Sequence, residues 1–253
     1  MKYFGLNGEK RDNLVRAKEE YLYVINQYHG ILFQSQQQAQ DLYKMTEWVE
    51  DRTIVLRPTV SMHGVNLVRE KNTRVLNRSE YNIVIVGSDQ QRKRQHLIPI
   101  ISELVAKSVR NVKFHIVGHI VNIQYKKEIE ALVKTLKQED KIVFHGFKED
   151  YLAYMNSADI ILQVSEEEGV SRILREAMAL SKVIVSFKLD GTNDLLVNGE
   201  DCLLSEYGDL KNISKQIVEL SKDKKLMKML SINAINNFDK KYCKSQYLLQ
   251  LKE

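Results

Sequence analysis

From Tyr81 onward, short apolar runs alternate with longer amphipathic stretches, and no other feature restricts the fold of this chain as much. Residues 82–86, 112–117, 142–144, 159–164 and 183–187 are short, mostly β-branched and predict strands. Three of them stop at or just before Gly87, Gly118 and Gly146. Near-continuous apolar strands are what a parallel sheet covered on both faces requires. Between them, residues 96–107 predict a helix that tolerates Pro99 in its first turn, where no helical N–H is lost. Residues 125–137 place Ile129, Leu132, Val133 and Leu136 on one stripe, and 170–180 and 210–220 continue the alternation. Strand–helix repetition at this spacing predicts an α/β fold with a doubly wound parallel sheet.

The first 80 residues differ. Residues 12–28 and 36–49 read as helices around a strand at 30–34, and a second strand at 53–56 stops before Arg57-Pro58. Two short strands with two helices are too little for a core of the usual kind. Residues 1–66 therefore read as an incomplete appendage, the tail of another α/β domain, with 59–80 irregular and basic and 67–80 a connector. Residues 81–240 form the main domain, and 241–253 close the chain as a C-terminal helix. The helical stretch from 223 to 253 ends in the apolar patch Tyr247, Leu248, Leu249 and Leu251.

Composition removes several function classes. With 43% hydrophobic and 28% charged residues the chain can bury a real core, so extensive disorder is excluded. The 11 glycines never form Gly-x-Gly, which excludes the dinucleotide fingerprint, and no P-loop is present. Seven Lys/Arg against three acids lie between Arg69 and Arg94, within a net charge of +5. That stretch reads either as a solvated connection or as a surface for phosphate or anionic membrane. It lacks interleaved aromatics, so nucleic acid is not expected. Two cysteines, Cys202 and Cys243, make no disulfide framework and point to a reducing compartment. The absence of a leader-like or ~20-residue apolar run makes the expectation cytoplasmic, with peripheral membrane contact left open.

In an open α/β sheet, ligands sit beyond the carboxyl ends of the strands, which selects the loops at 88–95, 119–122, 147–150, 165–169 and 188–194. The richest is Ser165-Glu166-Glu167-Glu168-Gly169, followed by a helix carrying Glu176, eight residues after Glu168. Acids there have a plain explanation, since they complement the positive end of a helix dipole. The other is a ligand site, in which the N–H groups of Gly169, Val170 and Ser171 face a phosphate.

The segment resembles the signature of the retaining GT-B glycosyltransferases of family 4, the group 1 glycosyltransferases. Their strand, Ser-x-x-Glu-Gly and Glu-Ala-Met-Ala helix stand here as Asp159 through Val164, Ser165 to Gly169 and Glu176 to Ala179. Flanking runs at Ile116–Gly118, Val143–Gly146, Lys182–Val185 and Asp194–Leu204 fall in the family's order. The resemblance covers about residues 81–240 and implies the nucleotide-sugar half of a GT-B fold. It assigns Glu176 to the ribose hydroxyls, Glu168 to the donor sugar, and the N–H groups after Gly169 to sugar and phosphates. Family members grip the diphosphate with an Arg and a Lys in the first loop. Here Ser88 stands at the Arg position, Lys93 matches the Lys, and Arg94 lies one residue away. A cation there stabilises the negative charge developing on the leaving group.

By the resemblance, Glu168 and Lys93 are the catalytic candidates. Glu176, Gly169, Val170, Ser171, Arg94, Ser88 and His119 are the donor-binding ones, with no metal and no cofactor beyond the donor itself. His29, His63, His96, His115 and His145 are expected to be structural. Departures from the family pattern are Ser181 where a Gly is usual and Asp190-Gly191 through Asp194 where Gly-Gly and a Glu are usual. The implied function is hexosyltransferase-like: sugar passes from a nucleoside-diphosphate donor, with retention, to an unnamed glycan or lipid-linked acceptor. Its acceptor domain would come from a separate subunit or a homologous copy. The alternative is a non-catalytic nucleotide-sugar-binding or partner module.

Overall fold

The computed structural model describes residues 29–34, 36–45 and 53–250, with isolated positions 19, 23 and 27. It divides into two compact units, 1–57 and 58–253. In the first, strand β1 (Ile31–Phe33) pairs in parallel with β2 (Thr53–Val55). Helix Gln36–Met45 buries Leu42 against Ile31, Phe33 and Tyr43. The helix expected at 12–28 and the end of the one expected at 36–49 lie outside the described residues.

The second unit is built on a six-stranded parallel sheet. Its strands are β3 (Tyr81–Val86), β4 (Val112–Val117), β5 (Ile142–Gly146), β6 (Ile160–Gln163), β7 (Val183–Phe187) and β8 (Leu203–Ser205). They lie in the order β5-β4-β3-β6-β7-β8. Apolar clusters cover both faces, as β-branched strands demand. One joins Ile83, Ile85, Phe114 and Ile116 to helices Ile98–Ala106 and Leu210–Lys222. The other joins Val84, Ile161 and Ile184 to helices Arg172–Ala179 and Lys224–Lys241. This is the doubly wound sheet that the alternation predicts.

The chain winds outward from β3 through β4 to β5, then returns to lay β6 on the other side of β3. The connections leaving β3 and β6 therefore diverge to opposite sides, and a crevice opens between their carboxyl ends. Two glycines let the loops above it close up. A Cβ on Gly118 would lie 2.0 Å from the Gly87 carbonyl oxygen, and one on Gly191 would lie 2.0 Å from that of Gly169.

Several expectations are corrected. The stretch 59–80 is not irregular throughout: Met62–Glu70 is a helix that buries Val65. A Cβ on Gly64 would meet Leu152 at 2.9 Å, so the glycine permits close packing on helix Tyr151–Ser157. The helix expected at 170–180 starts at Arg172, because Ser171 is its cap and accepts from the Leu174 N–H at 3.4 Å. Val170 and Ser171 therefore precede the helix. The helix expected at 96–107 opens with a 3-10 turn, Gln95–Leu97, and a second 3-10 turn, Gln91–Lys93, precedes it, the two joined at Arg94 in the left-handed region. The C-terminal helical stretch breaks at Tyr242, between Lys224–Lys241 and Lys244–Gln250. Strand β8 was not among the strands read from the sequence.

Candidate functional site

The loops leaving β3 and β6 meet over the crevice and are held together by charge. Lys93 Nζ donates to Glu168 Oε1 in a largely buried ion pair. Ser165 Oγ donates to the same oxygen at 2.7 Å, and Arg92 lies 3.9 Å from Glu168 Oε2. Arg94 pairs with Glu166, and the Glu166 N–H donates to the Arg92 carbonyl at 2.8 Å. Arg94 adopts φ 49°, a left-handed turn that aims this run of cations at the acidic loop. The Arg94–Glu166 pair is about one-third exposed and contributes little by itself. The Lys93–Glu168 pair is enclosed and carries more of the contact.

Glu176 sits one helix turn beyond the cap, 6% exposed. Its Oε1 accepts from the Tyr151 hydroxyl at 2.8 Å and lies 3.7 Å from Arg172 Nε. Its Oε2 is buried without a protein partner. Burial holds this carboxyl above its ordinary range, against the opposing pull of Tyr151 and of the neighbouring arginines. Tyr151 is pushed up to about 12 by burial and by the same carboxylate, so it remains the donor.

Across the described residues, four buried side-chain polar atoms lack a partner: Asp89 Oδ2, Arg94 Nε, Gln163 Nε2 and Glu176 Oε2. Asp89 and Arg94 belong to the loop after β3, Gln163 ends β6, and Glu176 is in the helix that follows. Each such atom costs about 1–3 kcal/mol. All four lie on the segments that end or follow β3 and β6, where a ligand beyond the carboxyl ends of the strands would find them.

Beside this crevice, at the ends of β3, β4 and β5, is a cavity of about 170 Å³ lined by Gly87, Asp89, Gly118, His119, His145 and Gly146. His119 stacks on Phe147 with ring centroids 4.0 Å apart. Asp89 Oδ1 accepts from the N–H groups of Val121 and Asn122, which ties the loop after β3 to the one after β4. His115 and His145 bond to each other at 2.9 Å, and burial pushes His115 down to about 4. A more open hollow of about 560 Å³ is lined by Arg92, Glu166, Glu168, Gly169, Lys188 and Leu189.

The structure thus brings Lys93, Arg94, Glu168 and Gly169 together, with Val170 and Ser171 following on the same loop. Glu176 lies in the helix that follows that loop, and His119 lines the neighbouring cavity. Ser88 lies on the loop after β3, where its carbonyl accepts from Gln95 Nε2 at 3.3 Å. Sequence reasoning singled out the loops that hold Ser165, Asp89 and Arg92 without giving these three a role, and it did not reach Tyr151. Tyr151 gives no signal, since it stands 25 residues from its partner Glu176. Asp89 was legible as an acid just past a strand end.

The profile of the family described as "Glycosyl transferases group 1" matches residues 68–237. Among curated proteins, the chain is 25% identical over 177 residues to the capsular polysaccharide biosynthesis glycosyltransferase CapM of Staphylococcus aureus, covering 70% of this chain and 46% of CapM. The chain thus spans about half the length of that relative. Among solved structures, Anabaena Alr3699/HepE in complex with UDP superposes with a TM-score of 0.75 at 19% identity, covering 88% of this chain and 62% of that one. The C-terminal domain of a glycosyl transferase group 1 family protein (LpcC) from Francisella tularensis superposes at 0.59 with 21% identity, covering 72% of this chain and 94% of that domain.

Proposed function

The chain belongs to the group 1 glycosyl transferases, and from that premise we propose that its second unit binds a nucleoside-diphosphate sugar as donor for glycosyl transfer. The observation that carries this is that all four unpartnered buried polar atoms, among the described residues, sit on the segments that end or follow β3 and β6. A solved structure that shares the fold, Anabaena Alr3699/HepE, is in complex with UDP, which supports a nucleotide as the ligand here.

In this reading, Lys93 leaves Glu168 to meet the diphosphate. Its charge then opposes the negative charge that develops on the leaving group as the glycosidic bond breaks. Glu168, released, accepts from hydroxyls of the donor sugar. Glu176 accepts from ribose hydroxyls, with Tyr151 fixing its other oxygen. The N–H groups of Gly169, Val170 and Ser171 face sugar and phosphate. His119 and Phe147 border the base. Transfer proceeds with retention to a glycan or lipid-linked acceptor that is bound by groups outside this unit. One observation favours the alternative of a binding module without transfer: Ser88 replaces one of the two expected cations, and the other is engaged by Glu168.

Calorimetric titration of the chain with UDP and UDP-glucose tests the reading. Wild type is expected to bind both. Glu168→Gln frees Lys93, so bare UDP is expected to bind at least as tightly while the advantage of the sugar-bearing ligand falls. Unchanged discrimination in Glu168→Gln would remove that residue from the sugar site.

A further inference from the structure

Arg175 is 5% exposed, and its bonds run to main-chain carbonyls rather than to an acid. Its guanidinium donates to Pro58 O, to Thr59 O at 3.0 Å, to Val170 O at 3.2 Å and to Ser171 O at 3.4 Å. The helix does not need a charge here. Leu174, Ala177 and Met178 are buried around it, and an apolar side chain would fill the position at lower desolvation cost. Burial accordingly pulls the guanidinium below its ordinary range. What the charge does gain is a planar fork of five donors that can reach two separate stretches of backbone at once.

Those two stretches are the point. Pro58 and Thr59 are the first residues of the second unit, where the chain enters it. Val170 and Ser171 close the loop that begins at Ser165. In a planar trans peptide, the carbonyl and the following N–H point in opposite directions. The Ser171 carbonyl also accepts from the Arg175 main-chain N–H at 3.3 Å, so the peptide that the guanidinium itself orients is the one after Val170, whose Ser171 N–H it turns away from itself.

We propose that Arg175 is a positioning residue: it fixes the orientation of the peptide that closes the donor loop and ties it to the segment through which the chain enters this unit. Any shift of that entry segment is then transmitted to the donor loop through one side chain. The inference rests on the donor-site reading above but concerns a residue that does not itself touch the ligand.

Hydrogen exchange on the intact chain, read peptide by peptide, tests the tether independently of any ligand. Arg175→Met is expected to speed exchange both at 59–62 and at 171–174, and Arg175→Lys, with fewer donors, to restore both in part. UDP affinity of Arg175→Met is expected to fall roughly tenfold, the loss of about one charge-assisted contact, with Arg175→Lys in between. The thermal midpoint of each variant shows whether it is folded, and the lysine variant stands in if the methionine one is not. Faster exchange in only one of the two segments, or full UDP affinity with both segments deprotected, would overturn the proposal. Failure of wild type to bind UDP, guanosine diphosphate or adenosine diphosphate would instead overturn the donor-site reading on which it rests.

Discussion

Glu176 keeps one carboxylate oxygen buried without a partner, and the cost of that burial appears in its protonation. The folded chain holds the proton more tightly than the unfolded chain does, because desolvation raises this carboxyl above its ordinary 4.5. The stability linked to the group is therefore full below 4.5 and is lost as pH rises through the folded-state value. Replacing Glu176 by Gln removes that loss. The melting temperature of Glu176→Gln is expected to gain on wild type as pH rises above 4.5, while its UDP affinity falls about tenfold or more. A difference in melting temperature that stays flat with pH would contradict the assignment of the cost to this residue. Which segments meet at the candidate site was largely legible, because Glu168, Gly169 and Glu176 stand close together in one stretch of sequence. Their partners were not, since the Tyr151 and Lys93 contacts are made by folding distant segments together. Ser181 shows why a departure from a family pattern can be tolerated. It holds φ 54°, the left-handed geometry that favours Gly, and its hydroxyl donates to the Ser231 carbonyl at 2.9 Å.

The elements meet where glycines allow it, and the loop after β7 shows the consequence. Gly191 lies so close to the Ser165–Gly169 loop that a Cβ would stand 2.0 Å from Gly169 O and 2.3 Å from Glu168 O. Backbone cannot yield as a side-chain tip can, so Gly191→Ala must push the donor loop. Overpacking of this kind costs about 1–3 kcal/mol. A lower melting temperature with weakened UDP binding is expected, measured by scanning calorimetry and titration on the same preparation. Full UDP affinity in Gly191→Ala would show that the loop's position does not matter for the ligand. Strands β3, β4 and β7 were legible because parallel-sheet strands are apolar on both faces. Helix Met62–Glu70 was not, since the pattern at 59–80 is irregular and basic rather than periodic. The start of helix Arg172–Ala179 was misplaced for a related reason: apolar periodicity includes Val170, whereas the cap is set by one hydroxyl on Ser171.

For the whole molecule, the alternation of strands and helices announced the six-stranded doubly wound sheet, and the strands and helix described between Ile31 and Val55 were legible as well. The proposal gives the chain the donor side of a transfer reaction. Alignment of donor with acceptor can lower a barrier by ~7–11 kcal/mol, and a donor side alone forgoes most of that. The 253 residues by themselves are therefore expected to transfer no label from a radiolabelled UDP-sugar to acceptors in a cell extract. Robust turnover would show that the acceptor groups lie within them. The central claim is the diphosphate site between β3 and β6. Its most direct test is thermal denaturation of the chain with UDP and, separately, with uridine, because a ligand bound only by the folded state raises its stability with saturation. UDP is expected to raise the midpoint more than uridine does, and Lys93→Met to abolish the difference. Equal midpoints with UDP, with uridine and with neither, at millimolar concentration, would contradict the account.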